Sequence, residues 1–421
     1  MAQSFAEPQL RLRTVAEHQE AILDGLRPLP PYDQLLLDAL GLVAAEDVTA
    51  PIALPSFDNS AMDGYAVLYD DVATATDERP VHLPVVGEIG AGQARILALS
   101  PGTAVKIMTG APVPAGADAV VPYEWTDRGV AQVVISRAPR QGQHVRAAGE
   151  DVTEGDLLIE EGTLLGPRQL GLLASVGRAS VVVRPRPRVV ILSTGSELRE
   201  PGTARGHDSV YDGNSYMLAA AVRRAGAIAY RVGIVPDEPK AFLDALGDQL
   251  VRADAVITSG GVSMGDYDVV KEALAPTGTV WFGGVAMQPG KPQGFGVVGD
   301  DQTPIFTLPG NPVSSFISFE MFVLPALRRM MGRLPYSRPT VEATLTHAVT
   351  SPPGRTQYLR GELDGNPDRV TERVTVSPVG GPGSHLVGDL AQANALIVVP
   401  TDTTSLDAGA TVTVVPLDRD F

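Results

Sequence analysis

A glycine-rich stretch between two apolar segments carries the residues with the clearest chemical potential. Residues 259–261 (Ser-Gly-Gly) follow the apolar run 255–258, and the pattern of residues 269–274 predicts a helix behind them. Glycines let a backbone approach a ligand closely, and the N–H groups at a helix start favour an anion. Asp266 and Asp268 lie in the same stretch, which indicates a metal ion between the anion and the carboxylates. The alternative is that Asp266 caps the helix and Asp268 complements its dipole.

Polar loops also follow the other strands that the sequence predicts between residues 188 and 308. Apolar runs and helical patterns alternate there, which predicts a largely parallel sheet in a three-layer arrangement. Ligands of such sheets bind at the carboxyl ends of the strands. The loops at those ends hold small donors, carboxylates and one lysine, namely Ser193, Thr194, Gly195, Ser196, Glu197, Asp237, Ser263, Lys291, Pro309 and Ser314. Together they predict a Mg²⁺-assisted site for a phosphate ester or a phosphoanhydride.

The last of these loops leads into a long helix predicted over residues 312–330. Asn311 suits the N-cap, and Pro312 suits the first helical turn. We therefore expect free N–H groups beside Ser314, which is a favourable arrangement for an oxyanion.

Two segments of the N-terminal half permit either a functional or an ordinary interpretation. Residues 55–67 combine turn formers with carboxylates, and could present Asp58 and Asp63 to a ligand. An ordinary turn before a strand explains the same composition. Thr109, with the glycine after it, either forms a turn facing a ligand or ends a strand.

Composition excludes several classes of protein. The chain has 421 residues and a net charge of -16, which argues against nucleic-acid binding because that needs a basic face. It has no cysteine, so disulfides and thiolate metal sites are impossible. Its six histidines are scattered without metal-binding spacing. No apolar run has the length of a membrane span and no signal core is apparent, so we expect a cytoplasmic protein without a membrane anchor.

The remaining patterns predict the organisation around the central sheet. Residues 81–135 and 338–421 consist of short strands separated by turn formers, which predicts two small all-β units. The stiff segment 184–187 (Arg-Pro-Arg-Pro) marks a domain boundary. We also expect a short helix over residues 33–40 and a strand over residues 280–287.

Several of these motifs resemble a known family. Residues 193–197, 259–268, 289–292 and 309–314 are similar to the molybdopterin-binding domain that molybdopterin adenylyltransferases and molybdenumtransferases share. The N-terminal motifs Ser60-Ala-Met-Asp-Gly-Tyr65, Ile107-Met-Thr-Gly-Ala-Pro-Val-Pro114 and Gly149-Glu-Asp151 resemble the molybdenumtransferases of the MoeA type, which include the E domain of gephyrin.

The resemblance implies a multidomain protein that combines α/β with all-β domains. Residues 13–54 and 150–184 would form an elongated domain, residues 55–149 an inserted β-domain, residues 185–334 the α/β/α molybdopterin-binding domain and residues 335–421 a C-terminal β-barrel. It also implies a homodimer, in which the inserted domain of one subunit completes the cleft of the other.

The implied reaction is the Mg²⁺-dependent insertion of molybdate into adenylyl-molybdopterin with release of AMP. A molybdopterin adenylyltransferase and molybdoenzyme apoproteins would be further partners. By resemblance, the catalytic residues would be Asp63, Thr109, Glu197, Asp237, Asp268 and Lys291, and the metal ligands Glu197, Asp237 and Asp268. The substrate-binding residues would be Asp151, Ser193, Thr194, Gly195, Ser259, Gly260, Gly261, Ser263, Asp266, Pro309, Asn311, Pro312, Ser314, Arg355, Arg360 and Ser384.

One position departs from the pattern of the family. Many relatives have a lysine where this chain has Gln288, so Lys291 must carry more of the anion binding. We therefore expect the substitution Lys291→Ala to abolish molybdate-dependent AMP release.

Two other functions are compatible with the pterin-binding motifs. An adenylyltransferase would need only the α/β domain, which leaves residues 1–185 and 335–421 without a role. A non-catalytic pterin carrier or assembly scaffold would not need Asp63, Glu197, Asp237 and Asp268.

Overall fold

The computed structural model describes residues 11–92, 98–261, 268–365, 374–419 and 421. The chain divides into two compact units. One contains residues 1–32, 41–45 and 182–421, and the other contains residues 33–40 and 46–181. The finer division into four domains stays a prediction.

A six-stranded sheet forms the centre of the first unit. Its strands lie in the order Ile228–Arg231, Arg188–Ser193, Ala255–Ser259, Thr303–Leu308, Pro292–Val298 and Val280–Gly284. The first four strands are parallel, as predicted, whereas Pro292–Val298 is antiparallel to both of its neighbours. The strand expected over residues 280–287 ends at Gly284, and Met287–Gln288 pairs instead with the strand Thr356–Asp364.

Helices cover both faces of this sheet. The helices of this region are Asn214–Arg224, Pro239–Leu250, Val269–Leu274, Pro312–Ser318 and Leu324–Met330. Val189 and Ile191 contribute to the core on one face, and Val190 and Leu192 to the core on the other. Adjacent residues of one strand are therefore buried on opposite sides, which confirms the predicted three-layer α/β/α arrangement.

The predicted helix over residues 312–330 is interrupted by a π-helical segment, Phe319–Val323. Pro325 has no N–H group to donate to the carbonyl of Met321 one turn earlier. That carbonyl accepts a hydrogen bond of 3.0 Å from the Gln19 side chain instead. The proline therefore explains why the regular helix is broken at this point.

The C-terminal part of the first unit is a closed barrel, as predicted. Its five strands are Thr356–Asp364, Thr375–Pro378, Val341–Leu345, Thr411–Pro416 and Ala395–Val399, and the last pairs with the first. Inward-facing residues such as Leu345, Val376 and Val414 form its core.

The second unit contains a five-stranded sheet. Its strands lie in the order Ala119–Pro122, Gly64–Val67, Ala104–Ile107, Val81–Ile89 and Gln132–Ile135. Tyr65, Val67 and Val121 are fully buried in the core of this sheet. Four of its strands lie within residues 81–135, for which the sequence predicted short strands, and Gly64–Val67 is the fifth.

The expected helix over residues 33–40 is wrong. Those residues form the end of an extended strand, Tyr32–Leu35, and a single 3₁₀ turn, Leu36–Ala39. The main-chain N–H of Leu36 donates to the carbonyl oxygen of Ala179 at 3.2 Å. A long-range main-chain hydrogen bond thus replaces the local one that a helix would have formed.

The shorter elements complete the chain. The further helices are Val15–Asp24, Tyr69–Val72, Pro167–Ser175 and Val387–Gln392, with 3₁₀ turns at Tyr123–Trp125 and Ala275–Thr277. The further strands are Val43–Ala44, Val48–Thr49, Asn59–Ser60, Val145–Arg146, Leu157–Ile159, Ser180–Arg184, Leu198–Arg199, Val210–Tyr211, Val349–Thr350 and Ser405–Leu406. Among the described residues, no helix is long and apolar enough to cross a membrane.

Candidate functional site

A cavity of about 1040 Å³ lies at the carboxyl ends of the parallel strands. Most of the loop residues that the sequence singled out line it together, namely Ser193, Thr194, Gly195, Glu197, Asp237, Ser259, Gly260, Gly261, Asp268, Asn311 and Pro312. Parallel strands bring their carboxyl ends to one edge of a sheet, so the sequence order of these residues was sufficient to predict their proximity. Ser263 and Asp266, which belong to the same set, lie outside the described residues.

Two glycines of the 259–261 loop are required by its geometry. Gly260 and Gly261 have φ angles of 94° and 71°, which favour glycine. A Cβ on Gly260 would lie 2.9 Å from the Thr194 carbonyl oxygen, and a Cβ on Gly261 would lie 2.6 Å from the Val270 side chain. The absence of side chains therefore lets this loop pack against its neighbours at the floor of the cavity.

Two hydroxyl groups at the cavity have no hydrogen-bond partner among the described residues. They are the buried Oγ of Ser193 and Oγ1 of Thr194. Both oxygens are shielded by the surrounding protein, and the hydroxyls of Thr258 and Thr307, which are not part of the cavity lining, are in the same state. A ligand is therefore indicated by the lining of the cavity as a whole.

The three predicted carboxylates differ in environment. Asp237 accepts a hydrogen bond of 2.7 Å from the main-chain N–H of Ser196, which ties its loop to the 193–197 loop. Glu197 is exposed, whereas Asp268 is buried, at 7% exposure. The helix behind Asp268 begins at Val269, so Asp268 lies at the N-cap position that the alternative interpretation gave to Asp266. Asp266 itself lies outside the described residues.

The donor set suits a hard cation that is shared with a ligand. No group of three or more His, Cys, Asp or Glu side chains in the described ranges is arranged to hold a metal ion by itself. Mg²⁺ in proteins is bound mostly by one or two carboxylates together with water and substrate phosphates. Glu197, Asp237 and Asp268 around one cavity fit that mode of binding.

Asp212 and Asn214 also line the cavity, although the sequence did not identify either as a candidate site residue. The Asn214 amide donates to Ser259 Oγ at 2.9 Å and to the Gly310 carbonyl oxygen at 2.6 Å. It therefore connects the loops that follow two neighbouring strands. The polar segment Asp212-Gly213-Asn214-Ser215 directly before a helical pattern was the signal that could have revealed them.

The start of the helix Pro312–Ser318 is less open than expected. The N–H of Val313 donates to the Ser384 carbonyl oxygen at 3.1 Å, and the Asn311 amide donates to Ser384 Oγ at 3.0 Å. The expectation of free N–H groups is therefore wrong for Val313, because a loop from the barrel occupies the helix start. The same contacts bring the predicted residues Asn311 and Ser384 together, and His385 beside them lines the cavity.

The predicted cationic residues lie outside the cavity lining. Arg360 is buried, at 4% exposure, and donates to the carbonyl oxygens of Gly381 and Gly383, so it supports the 380–385 loop from beneath. Burial lowers the pKa of Arg360 below its ordinary value. Lys291 and Arg355 are partly buried, and neither contributes to the described lining of the cavity. Their predicted roles stay predictions.

In the second unit, Asp63 and Thr109 are in direct contact, which the sequence did not predict. Both the main-chain N–H and the hydroxyl of Thr109 donate to Asp63 Oδ1 at 2.7 Å. These bonds, the main-chain bond first, hold the pKa of Asp63 below its ordinary value, so this carboxyl is ionised at neutral pH. Asp151 is exposed, and its main-chain N–H donates to the carbonyl oxygen of Leu54.

Comparison with known proteins covers nearly the whole chain. Residues 13–177 match the family model of the MoeA N-terminal region (domain I and II), and residues 342–417 that of the MoeA C-terminal region (domain IV). Residues 190–329 match a probable molybdopterin binding domain.

Individual relatives agree with these matches. The chain is 47% identical over 404 residues to molybdopterin molybdenumtransferase 2 of Mycobacterium tuberculosis, covering 94% of this chain and 98% of the relative. It is 35% identical to the molybdopterin molybdenumtransferase of Haemophilus influenzae, covering 96% and 99%. A crystal structure of the molybdopterin biosynthesis MoeA protein of Pyrococcus horikoshii superimposes with a TM-score of 0.85 at 31% identity, covering 97% of this chain and 100% of that one. The chain therefore belongs to the MoeA family, the molybdopterin molybdenumtransferases of molybdenum cofactor biosynthesis.

Proposed function

We propose that this chain inserts molybdate into adenylyl-molybdopterin in a Mg²⁺-dependent reaction that releases AMP. The observation that carries the proposal is the cavity of about 1040 Å³, whose lining combines carboxylates, among them Glu197, Asp237 and Asp268, with serine, threonine and glycine residues. Its volume is sufficient for a large ligand, and its chemistry suits a phosphoanhydride with a bound cation.

The donors on one side of the cavity would bind the phosphate groups. Ser193, Thr194 and the 259–261 loop line the cavity together, so they would surround a phosphate group there. The close packing of Gly260 against Thr194 keeps the loop backbone within reach of the same ligand. These groups are fixed before the ligand arrives, which favours electrostatic stabilisation of the charge that develops on the leaving phosphate.

The carboxylates Glu197, Asp237 and Asp268 would hold Mg²⁺. Bound there, Mg²⁺ would supply charge neutralisation at the phosphoanhydride, which makes AMP a better leaving group. The protein's contribution is to fix these side chains: Asp237 through the N–H of Ser196, and Asp268 through burial at the start of a helix. Lys291 remains the proposed cation for the molybdate oxyanion, although it lies outside the described lining.

The proposal also assigns partners and a location. A molybdopterin adenylyltransferase would supply the adenylylated pterin, and molybdoenzyme apoproteins would receive the product in the cytoplasm. We propose a homodimer as the active form, in line with the family resemblance. Mixing inactive Asp63→Asn and Asp268→Asn subunits would restore part of the activity if each site takes these two residues from different subunits.

The test is AMP release from adenylyl-molybdopterin by the purified chain, with and without molybdate and Mg²⁺. We expect release only when both are present, and loss of release in the Asp268→Asn variant. Asp254→Asn is the matched control, because Asp254 pairs with Arg188 at the opposite, amino ends of the strands. Formation of adenylyl-molybdopterin from molybdopterin and ATP would favour the adenylyltransferase alternative. Tight pterin binding without AMP release would favour a carrier.

A further inference from the structure

The segment of residues 197–212 forms one wall of the cavity. It follows the strand Arg188–Ser193, and its first arm, Leu198–Arg199, pairs in parallel with its second arm, Val210–Tyr211. The N–H of Val210 donates to the carbonyl oxygen of Glu197 at 2.9 Å. The N–H of Asp212 donates to the carbonyl oxygen of Arg199, also at 2.9 Å. These hydrogen bonds attach the main chain of Glu197, a proposed metal ligand, to the second arm of the wall.

Apolar burial contributes little to holding the wall in place. Val210 is 50% exposed and Tyr211 is 47% exposed, although both line the cavity. The hydrophobic contribution scales with the apolar area removed from water, so half-exposed side chains contribute only a fraction of it. Polar contacts with the rest of the unit must therefore determine where the wall lies.

One arginine makes the principal contact with the first arm of the wall. Arg231 ends the edge strand Ile228–Arg231, and its two terminal nitrogens bind the two oxygens of Glu200 at 2.8 and 2.9 Å. Its guanidinium also lies over the Tyr216 ring, 4.0 Å from the ring centre. Only 23% of the Arg231 side chain and 33% of the Glu200 side chain are exposed, so this bidentate pair is partly shielded from water.

The same arginine contacts the second arm of the wall through a serine. Ser215 is fully buried and donates to Asp212 from its main-chain N–H at 3.0 Å and from its hydroxyl at 2.6 Å. Arg231 donates to that hydroxyl oxygen at 3.3 Å. One side chain on the rigid sheet therefore holds both arms of the wall.

We propose that Arg231, together with Glu200, is a positioning residue that fixes the 197–212 wall and, through it, the carboxylate of Glu197 at the cavity. This inference rests on the proposed function, because it assigns Glu197 to the Mg²⁺ site. Neither Arg231 nor Glu200 lines the cavity in the described part of the chain, so their effect is exerted through the wall rather than on the ligand.

The test uses Arg231→Gln, Glu200→Gln and the double variant. Each single variant is expected to lower kcat/KM for AMP release roughly 10- to 100-fold, because misplacement of a site residue by about 1 Å has effects of that size. The loss should be accompanied by a higher Mg²⁺ requirement. The double variant should be no worse than the poorer single variant, since both remove one contact. Arg231→Lys should recover part of the activity.

Hydrogen exchange of the intact protein supplies a readout that does not depend on activity. We expect faster exchange within residues 198–211 in Arg231→Gln and in Glu200→Gln, and unchanged exchange in the strand Ala255–Ser259. Arg188→Gln is the control, because it breaks a bidentate pair with Asp254 at the amino ends of the strands and should change neither the wall nor the Mg²⁺ requirement.

The outcomes separate this inference from the proposed function. An active wild type with unchanged kcat/KM and Mg²⁺ requirement in both single variants would overturn the positioning role. Exchange that accelerates equally throughout the unit would also overturn it, because it would reveal a general loss of stability. A wild type that releases no AMP would refute the proposed function, whereas faster exchange confined to residues 198–211 would still support the attachment of the wall by Arg231.

Discussion

Asn214 offers the sharpest perturbation of the site, because one side chain holds two of its loops together. Its amide donates both to Ser259 Oγ and to the Gly310 carbonyl oxygen. The substitution Asn214→Ala removes both hydrogen bonds and leaves the main chain at the start of its helix unchanged. We expect the 259–261 and 309–311 loops to lose their fixed spacing and the cavity to bind its ligand less tightly.

The magnitude follows from the two bonds. A typical hydrogen bond between neutral groups contributes about 1 kcal/mol, so the pair contributes about 2 kcal/mol. If all of it is expressed in binding, the affinity falls roughly 30-fold, since 1.4 kcal/mol corresponds to a factor of ten. Asn214→Asp should be worse, because it places a carboxylate oxygen against the Gly310 carbonyl, which is 2.6 Å from the amide nitrogen.

The assay is calorimetric titration of AMP in the presence of Mg²⁺. Asn394→Ala is the control: Asn394 also makes two hydrogen bonds, of 2.7 and 3.1 Å to the main chain of Leu363, but it does so within the C-terminal barrel. We expect unchanged AMP affinity in that variant. Affinities within twofold of the wild type in both Asn214 variants, with the protein folded, would refute the role of Asn214 in shaping the cavity.

Three further predictions concern a charge, a backbone and the pH dependence of stability. Thr109→Val should raise the pKa of Asp63 towards its ordinary 3.8 while Thr109→Ser keeps it low, which an NMR titration of the carboxyl carbon would measure. Gly261→Ala should lower the free energy of unfolding by about 2 to 4 kcal/mol, because its φ is positive and the new Cβ would clash. Gly278→Ala, with φ 68° and open space around it, should cost only the backbone strain of about 1 kcal/mol. Urea unfolding measures both. Burial, and then the charge of a neighbouring arginine, lowers the pKa of His18 from 6.5 to about 3, so the free energy of unfolding should fall as the pH drops from 6.5 towards 3, by roughly 1.4 kcal/mol per pH unit. His18→Phe should flatten that dependence in urea unfolding at pH 7 and 4.5; an equally steep fall in the variant would show that other groups cause it.

The edge of the central sheet was predictable from the sequence because of a simple geometric rule. Glu197, Asp237 and Ser259 are far apart in the chain, but each lies at or just after the carboxyl end of one of the parallel strands. Alternation of strands and helices makes the strands parallel. Because parallel strands all end at the same edge of the sheet, the loops that follow them meet there. The glycines of the 259–261 loop were equally visible, since no other residue type fits their backbone and their contacts.

What the sequence could not predict depends on long-range contacts. The carbonyl oxygen of Ser384 accepts a hydrogen bond from the N–H of Val313. The two residues lie in different parts of the chain, and no local pattern connects them. Asn214 belongs to a helix start, and only the fold shows that its amide reaches two strand ends. The helix after the glycine loop begins at Val269, as its pattern predicted, but only the structure shows that Asp268 is its N-cap.

A crystal structure of the protein with AMP and Mg²⁺ would show whether the cavity at the strand ends is the site of the reaction. We expect the phosphate between the 193–197 and 259–261 loops, and the metal ion on at least one of Glu197, Asp237 and Asp268. Nucleotide bound outside this cavity would contradict the proposed function.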